Sequence, residues 1–221
     1  MPHFLRTNFQ GDPNLGLYGF ATDKYCLIGV ESKRLREKLK EVLKVPVSSA
    51  FAMETELLGI FCAGNSHGIV VPKILDDDEI SSMEKAAKNI LVLKSRYTAF
   101  GNLILMNDKG ILLSPLMKKE KKGIEKFFGL RCEIAKIAGL NVIGNLGIAT
   151  NRGCLLNPRA KKNEIKLAED VLNVKTDIGT VNFGSPYPGA GIITNSNGYV
   201  VSEVSSGPEL GRITETLGFL E

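Results

Sequence analysis

Five glycines, Gly16, Gly59, Gly101, Gly144 and Gly189, recur at intervals of 43, 42, 43 and 45 residues. Nine residues after each lies a turn position: Tyr25, Gly68, Gly110, Gly153 and Gly198. The intervening segments read GLYGFATDKY, GIFCAGNSHG, GNLILMNDKG, GNLGIATNRG and GAGIITNSNG. A constant offset over five units marks a repeat architecture, in which one supersecondary unit stacks on copies of itself.

Each segment reads as an apolar strand closed by a polar turn. Asn65, Asn107, Asn151 and Asn195 sit in those turns, where Asn tolerates left-handed backbone and Gly supplies positive φ. A second strand follows (CLIGV, IVVPKI, ILLSPL, CLLNPR, YVVSEV), with Pro72, Pro115 and Pro158 ending three of the five. Helical stretches come next, at 32–44, 76–89, 118–128, 160–173 and 207–219. In the first, Leu35, Leu39 and Leu43 share one helical face. Asp76 to Glu79 opens the second, where acids suit the positive helix end. Ser206-Gly-Pro-Glu209 opens the fifth with capping-box spacing. A third strand leads from each of the first four helices to the next glycine (VPVSSAF, ILVLKSRYT, LRCEIAKIA, VKTDIGTV). The fifth unit lacks one, and Phe4 to Phe9 at the other terminus supplies it. That permutation predicts a closed ring, since closure removes the raw edges of a linear array. Residues 1–221 are expected to form one domain with no linker; the Pro/Gly-rich stretch 184–191 explains the longest interval.

Composition sets the remaining bounds. At 221 residues, with 43% hydrophobic and 24% charged, the chain has an ordinary globular balance. A chain of this length buries roughly 70% of its unfolded surface, so no metal or disulfide staple is required. No apolar run approaches the roughly 20 residues of a membrane span, and MPHFLRTNFQ carries no signal-peptide core. The four cysteines (Cys26, Cys62, Cys132, Cys154) lie in apolar stretches with no CxxC, which predicts reduced, buried thiols in a cytoplasmic protein. A net charge of +4 permits an RNA-rich partner without demanding one.

Taken together, RYTAFGNLILMNDKGILLSP (96–115), VIGNLGIATNRGCLLNP (142–158), DIGTVNFGS (177–185), SSGPEL (205–210) and HGIVVPKILDDDEI (67–80) resemble the translation initiation factor 6 family of archaeal type. The likeness runs from Gly16 almost to Glu221, and its specificity lies in the ordered set of motifs. It implies a pentein-type fold, a five-fold pseudosymmetric α/β propeller with inner strands around the axis and helices outside. It also implies a monomeric binding protein without a cofactor. The expected partner is the large ribosomal subunit at its intersubunit face, through ribosomal protein and rRNA near the sarcin–ricin loop, and the expected consequence is a block on small-subunit joining. Eukaryotic members carry a C-terminal tail beyond the fifth helix, where this sequence stops.

The same fold also resembles guanidine-modifying hydrolases and transferases, which use a Cys nucleophile near the C-terminus, a His and carboxylates. A thiolate needs an acid/base partner. Here the only histidines are His3 and His67, and no Cys follows Cys154. Asp76 to Asp78 lacks the spacing of a calcium loop, and no GxxxxGK[ST] or GxGxxG opens a helix. Neither a metal site nor a nucleotide site is expected. A further alternative, a nuclease- or RNA-chaperone-like rRNA binder, has no residues that support catalysis and few stacking aromatics to draw on (no Trp, five Tyr).

Candidate contacts follow from the repeats and the resemblance. The repeat-start loops should gather on one face of the ring. Units three and four place Gly101-Asn102 and Gly144-Asn145 there; the amides either cap backbone or reach a partner's backbone with donor and acceptor. Ile60 is the aligned apolar residue of unit two. Arg96 and Tyr97 flank the third unit, and Tyr187 stands between two prolines as a rigid aromatic. Residues 118–131 hold six bases and two acids. Lys118, Lys119, Lys121 and Lys122 crowd the helix start, against the dipole. They read either as a solvated face or as a salt-sensitive rRNA contact. Arg159, Lys161 and Lys162 form a smaller cluster in unit four.

Overall fold

A computed structural model describes residues 3–220. Each unit is a blade with a three-stranded sheet and an outer helix. The strands of blade 1 are Gly19–Ala21, Cys26–Ile28 and Val47–Ser49; those of blade 2 are Ala63–Asn65, Gly68–Pro72 and Ile90–Leu93. Blade 3 has Ile104–Met106, Gly110–Leu113 and Arg131–Ile134, and blade 4 has Gly147–Ala149, Gly153–Leu156 and Lys175–Ile178. Blade 5 combines Ile192–Thr194 and Tyr199–Val201 with Phe4–Arg6. In every blade the first two strands are antiparallel and the third runs parallel to the second. Parallel pairing requires a crossover, and in blades 1 to 4 the blade helices supply it: Lys33–Leu43, Asp77–Glu84, Lys121–Phe128 and Lys162–Leu172; the helix of blade 5 is Gly207–Thr216. In blade 5 the third strand comes from the opposite end of the sequence, with Phe4 opposite Tyr199 and Arg6 opposite Val201.

The first strands contact one another in cyclic order, from blade 1 through blade 5 and back to blade 1. The repeat glycines show why the period is so strict. A Cβ on Gly59 would overlap the Gly16 carbonyl oxygen; one on Gly101 would meet Gly59, one on Gly144 would meet Gly101, one on Gly189 would meet Gly144, and one on Gly16 would meet Gly189. Five backbones therefore lean on one another around the axis, at a separation only glycine permits. Outside this ring each blade has its own apolar cluster. Blade 3 buries Phe100, Ile111, Leu113, Met117, Ile124, Phe128 and Cys132, at about 1.5–3 kcal/mol for each large side chain. The architecture is the five-fold pseudosymmetric pentein ring.

Several local expectations need correction. The repeat glycines do not begin strands. They lie in short helical turns (Leu15–Leu17, Leu58–Phe61, Phe100–Leu103, Ile143–Leu146, Pro188–Gly191), and the strands start about three residues later. Glycine is needed there for close backbone approach. The hairpin residues Asn65, Asn107, Asn151 and Asn195 all have negative φ, as do Gly68, Gly110, Gly153 and Gly198. The hairpin glycines answer to packing as well: a Cβ on Gly110 would strike the Val171 carbonyl of the next blade's helix, and one on Gly153 that of Thr216. Asn151 is also one position out of register. Counted from the repeat glycine it aligns with Asp23 and Asp108, while Thr150 holds the place of Asn65, Asn107 and Asn195.

Element ends differ for physical reasons. The second helix stops at Glu84, where Ala86 N turns back to Met83 O and tightens the last turn. The third is split into a 3-10 turn, Pro115–Met117, and Lys121–Phe128, because Ser114 caps the former and Pro115 starts it. Gly218, at φ +77°, ends the fifth early. The N-terminal strand spans only Phe4–Arg6; Pro72 ends its strand as expected, while Pro115 and Pro158 lie two residues beyond theirs. The helix caps at Asp76 and Ser206 are capping boxes with Glu79 and Glu209. Among the described residues no helix is long and apolar enough to cross a membrane.

Candidate functional site

Topology gives the ring two unlike ends. The first strand of each blade leads away from its glycine to a hairpin, and the second returns. The helix departs from the glycine end, and the third strand comes back to it. Hairpins therefore gather at one end, and the connections between blades gather at the other.

The hairpin end is stitched shut. Asn65 Nδ2 donates to Asn107 O, Asn107 Nδ2 donates to Thr150 O and Leu172 O, and Asn195 Nδ2 donates to Thr22 O and Leu43 O. Each bond ties one blade to another. Asn151 Nδ2 bridges Asp23 and Asp108, at 2.8 and 2.7 Å, so blades 1, 3 and 4 meet across the axis. The backbone amides of Ser66 and Ser196 take up the other Asp oxygens. These polar groups are spent on the fold.

At the glycine end a second device repeats. A tight turn of left-handed residues precedes the repeat glycine: Gln10-Gly11, Met53-Glu54, Ala138-Gly139 and Asn182-Phe183-Gly184. In blades 2, 4 and 5 the third residue of the blade helix is a Glu that accepts hydrogen bonds from this turn: Glu79 from Glu54 N, Glu164 from Ala138 N and Gly139 N, and Glu209 from Phe183 N and Gly184 N. Burial pushes the Glu209 carboxyl up, but bonds from Ser206, Gly184 and Thr180 outweigh it and hold the group below its ordinary value.

Blade 3 departs from this pattern. Its connection, Lys94 to Thr98, has no left-handed residue. Its helix has Gly123 as third residue; the nearby acid, Glu120 at the N-cap, accepts only from Ser95 Oγ at 2.6 Å, and its Oε2 is shielded without a partner. The freed connection lines an open groove of about 660 Å³ with Lys94, Arg96, Tyr97, Leu116, Lys118 and Lys119. Arg96 lies over the Tyr97 ring at 4.8 Å, a cation–π contact that keeps the guanidinium fixed but exposed. An adjoining groove carries Arg96, Tyr97 and Leu116 on to Asn102, Leu103 and Val142.

The structure thus brings Arg96, Tyr97, Asn102, Lys118 and Lys119 together. Asn102 is half-buried in its helical turn, with Oδ1 shielded and unpartnered, instead of projecting freely. Gly101 and Gly144 are axis glycines whose missing side chains are explained by packing. Ile60 and Asn145 occupy the equivalent turns of blades 2 and 4, half-buried. Tyr187 is exposed at the start of the blade 5 turn. Lys121 leaves the cluster to pair with Glu133 at 3.1 Å, and that bond raises the Lys121 pKa and lowers that of Glu133. Lys122 is exposed on the helix. Sequence reasoning missed Lys94, Ser95, Leu116 and Glu120; the absent turn motif before Gly101 was the available signal.

The thiols are unsuited to nucleophilic work. All four are buried, and burial pushes Cys26, Cys132 and Cys154 up to about 12 and Cys62 higher still. No group of three or more His, Cys, Asp or Glu among the described residues is placed to hold a metal ion.

Fold and site together define a pentein ring with one interlocked end and one end carrying an irregular, basic groove. The eIF-6 family model matches residues 4–216. Similar proteins include translation initiation factor 6 of Pyrococcus horikoshii, 39% identical over 99% of this chain and 100% of the relative, and that of Thermococcus onnurineus, with the same figures. Translation initiation factor 6 of Methanococcus vannielii is 37% identical, over 98% of this chain and 99% of its own. The chain belongs to the eIF-6 family, and its role is that of a translation initiation factor.

Proposed function

We propose that this protein binds the large ribosomal subunit at its intersubunit face and thereby prevents the small subunit from joining. The observation that carries the reading is the broken symmetry of blade 3. The turn-and-glutamate device secures the inter-blade connection in blades 2, 4 and 5. In blade 3 the connection instead carries Arg96 and Tyr97 between a groove with Lys94, Lys118 and Lys119 and an adjoining one with Asn102. Four cations around one groove suit rRNA phosphates, and the cation–π pair and half-buried amide suit shape-specific contact with ribosomal protein. Anti-association needs no chemistry: a rigid body seated on the joining surface excludes the other subunit sterically. A ring whose backbones interlock at the axis presents such a surface already organised, so little ordering cost attends binding. In this reading the protein acts as a monomer in the cytoplasm.

The test is sucrose-gradient co-sedimentation of the purified protein with isolated large and small subunits, followed by a subunit-joining assay. Sedimentation with the large subunit alone, and loss of joined ribosomes as the protein is titrated in, is the expected result. Equal binding to both subunits, or joining unaffected at saturation, would refute the proposal.

A further inference from the structure

The turn that enters blade 5 is one residue longer than its counterparts. Gln10-Gly11, Met53-Glu54 and Ala138-Gly139 each place two left-handed residues inside their bridge, whereas Val181 and Ser185 enclose three: Asn182, Phe183 and Gly184, at φ +52°, +59° and +97°. This extra residue accounts for half of the longer final interval. The middle position holds Phe183, which is 82% exposed. A bulky L-residue is disfavoured in the left-handed region, and a large aromatic is disfavoured in water.

Nothing in the fold requires this side chain. The turn is held through its backbone and the Asn182 side chain: Phe183 N and Gly184 N donate to Glu209, Asn182 N donates to Ser205 Oγ, and Asn182 Nδ2 donates to Pro13 O. Backbone strain that its surroundings over-determine is a mark of functional positions. Val204, beside Ser205, is 50% exposed, and Tyr187, four residues on, is 43% exposed.

We infer that Phe183 is an aromatic anchor that inserts into an apolar pocket on a protein surface, flanked by Tyr187 and Val204. This rests on the ribosome-binding reading, because the turn opens on the same end of the ring as the blade 3 groove. Charge decides between protein and RNA as the occupant. Residues 176–211 contain no Lys or Arg, while Asp177, Glu203 and Glu209 lie within them. Arg6 and Arg212 reach this segment, and both are already engaged, Arg6 by the carbonyls of Glu203 and Ser205 and Arg212 by the Asp177 carboxylate at 2.6 Å. Phosphate contacts dominate affinity for nucleic acid, and this edge offers almost none. The footprint is thus polarised, with a basic end at blade 3 for rRNA and an aromatic end at blade 5 for a ribosomal protein whose pocket has a neutral or basic rim.

The experiment compares wild type, Phe183→Ala and Phe183→Asn for melting temperature and for affinity toward isolated large subunits across a salt series. Asn accepts the left-handed region more readily than Phe, so Phe183→Asn should melt at or above the wild-type temperature. Both variants should bind at least about tenfold more weakly, with the wild-type salt slope unchanged. A p-benzoylphenylalanine at position 183 should cross-link to a ribosomal protein. If both variants bind like wild type, or the cross-link lands on rRNA, the anchor is refuted while the ribosome-binding reading stands. If wild type itself fails to bind the large subunit, the reading falls and the anchor falls with it.

Discussion

The two ends of the ring are built from the same five repeats and use polar side chains in opposite ways. At the hairpin end Asn65, Asn107 and Asn195 are buried, with their amide nitrogens committed to carbonyls of neighbouring blades. At the glycine end Asn102 Oδ1 and Glu120 Oε2 are shielded without partners, and Arg96, Lys118 and Lys119 stand in solvent. Regularity serves the fold, because each satisfied buried group avoids a desolvation penalty of about 1–3 kcal/mol. The irregular features sit at the glycine end: blade 3 loses the left-handed turn and leaves polar atoms unpartnered, and blade 5 lengthens the turn around the exposed Phe183.

The contrast breaks most visibly at the axis. Gly144→Val places a branched side chain against the Gly101 carbonyl, and a loss of more than about 4 kcal/mol is expected. Thermal unfolding within a few degrees of wild type would show that the glycines tolerate separation. Next comes Asn107→Ala, which strands the carbonyls of Thr150 and Leu172. It also removes the acceptor of Lys109 N and Gly110 N, so it should cost at least about 2 kcal/mol in chemical denaturation, while the folded fraction binds large subunits as wild type does.

Ring closure and the five-unit period were legible in the sequence because they depend on spacing, and the spacing records backbone contacts repeated five times. The reason for the glycines was not legible. A glycine at a close approach and a glycine at positive φ look identical in a chain, and only the carbonyls of Gly59 and Gly101 against the next repeat distinguish them. Asn151 was misplaced by one position because Asn suits either of two adjacent turn sites. Part of the blade 3 groove lining was readable, because Arg96 and Tyr97 lie five and four residues before Gly101 and Asn102 follows it. Lys121 could not be separated from Lys118 and Lys119 without its partner Glu133, which is contributed by a strand twelve residues away.

Smaller effects refine the picture. Glu209 is held below its ordinary pKa in the folded state, so the stability it lends is present above the unfolded value, about 4.3, and is lost as pH falls through the lowered folded value. Glu209→Gln should therefore melt lower than wild type at pH 7, and the gap should narrow below about pH 4. A gap that stays constant with pH would mean that the carboxylate charge is not what holds the blade 5 turn. Smallest in stability is Lys118→Glu with Lys119→Glu, expected within about 0.5 kcal/mol of wild type, yet weaker in large-subunit binding with a flatter salt slope. Lys122→Glu, on the exposed helix, should change neither.

The central claim, that the glycine end docks while the hairpin end faces away, is most directly tested by thiol footprinting. The four native cysteines are buried with raised pKa values, so a single introduced surface cysteine can be labelled selectively with a maleimide. Lys119→Cys reports on the blade 3 groove, and Lys109→Cys reports on the hairpin end. With saturating large subunits, labelling of the cysteine at 119 should be suppressed and labelling at 109 should proceed at the free rate. Suppression at 109 with unhindered reaction at 119 would mean that the ring binds by its other end.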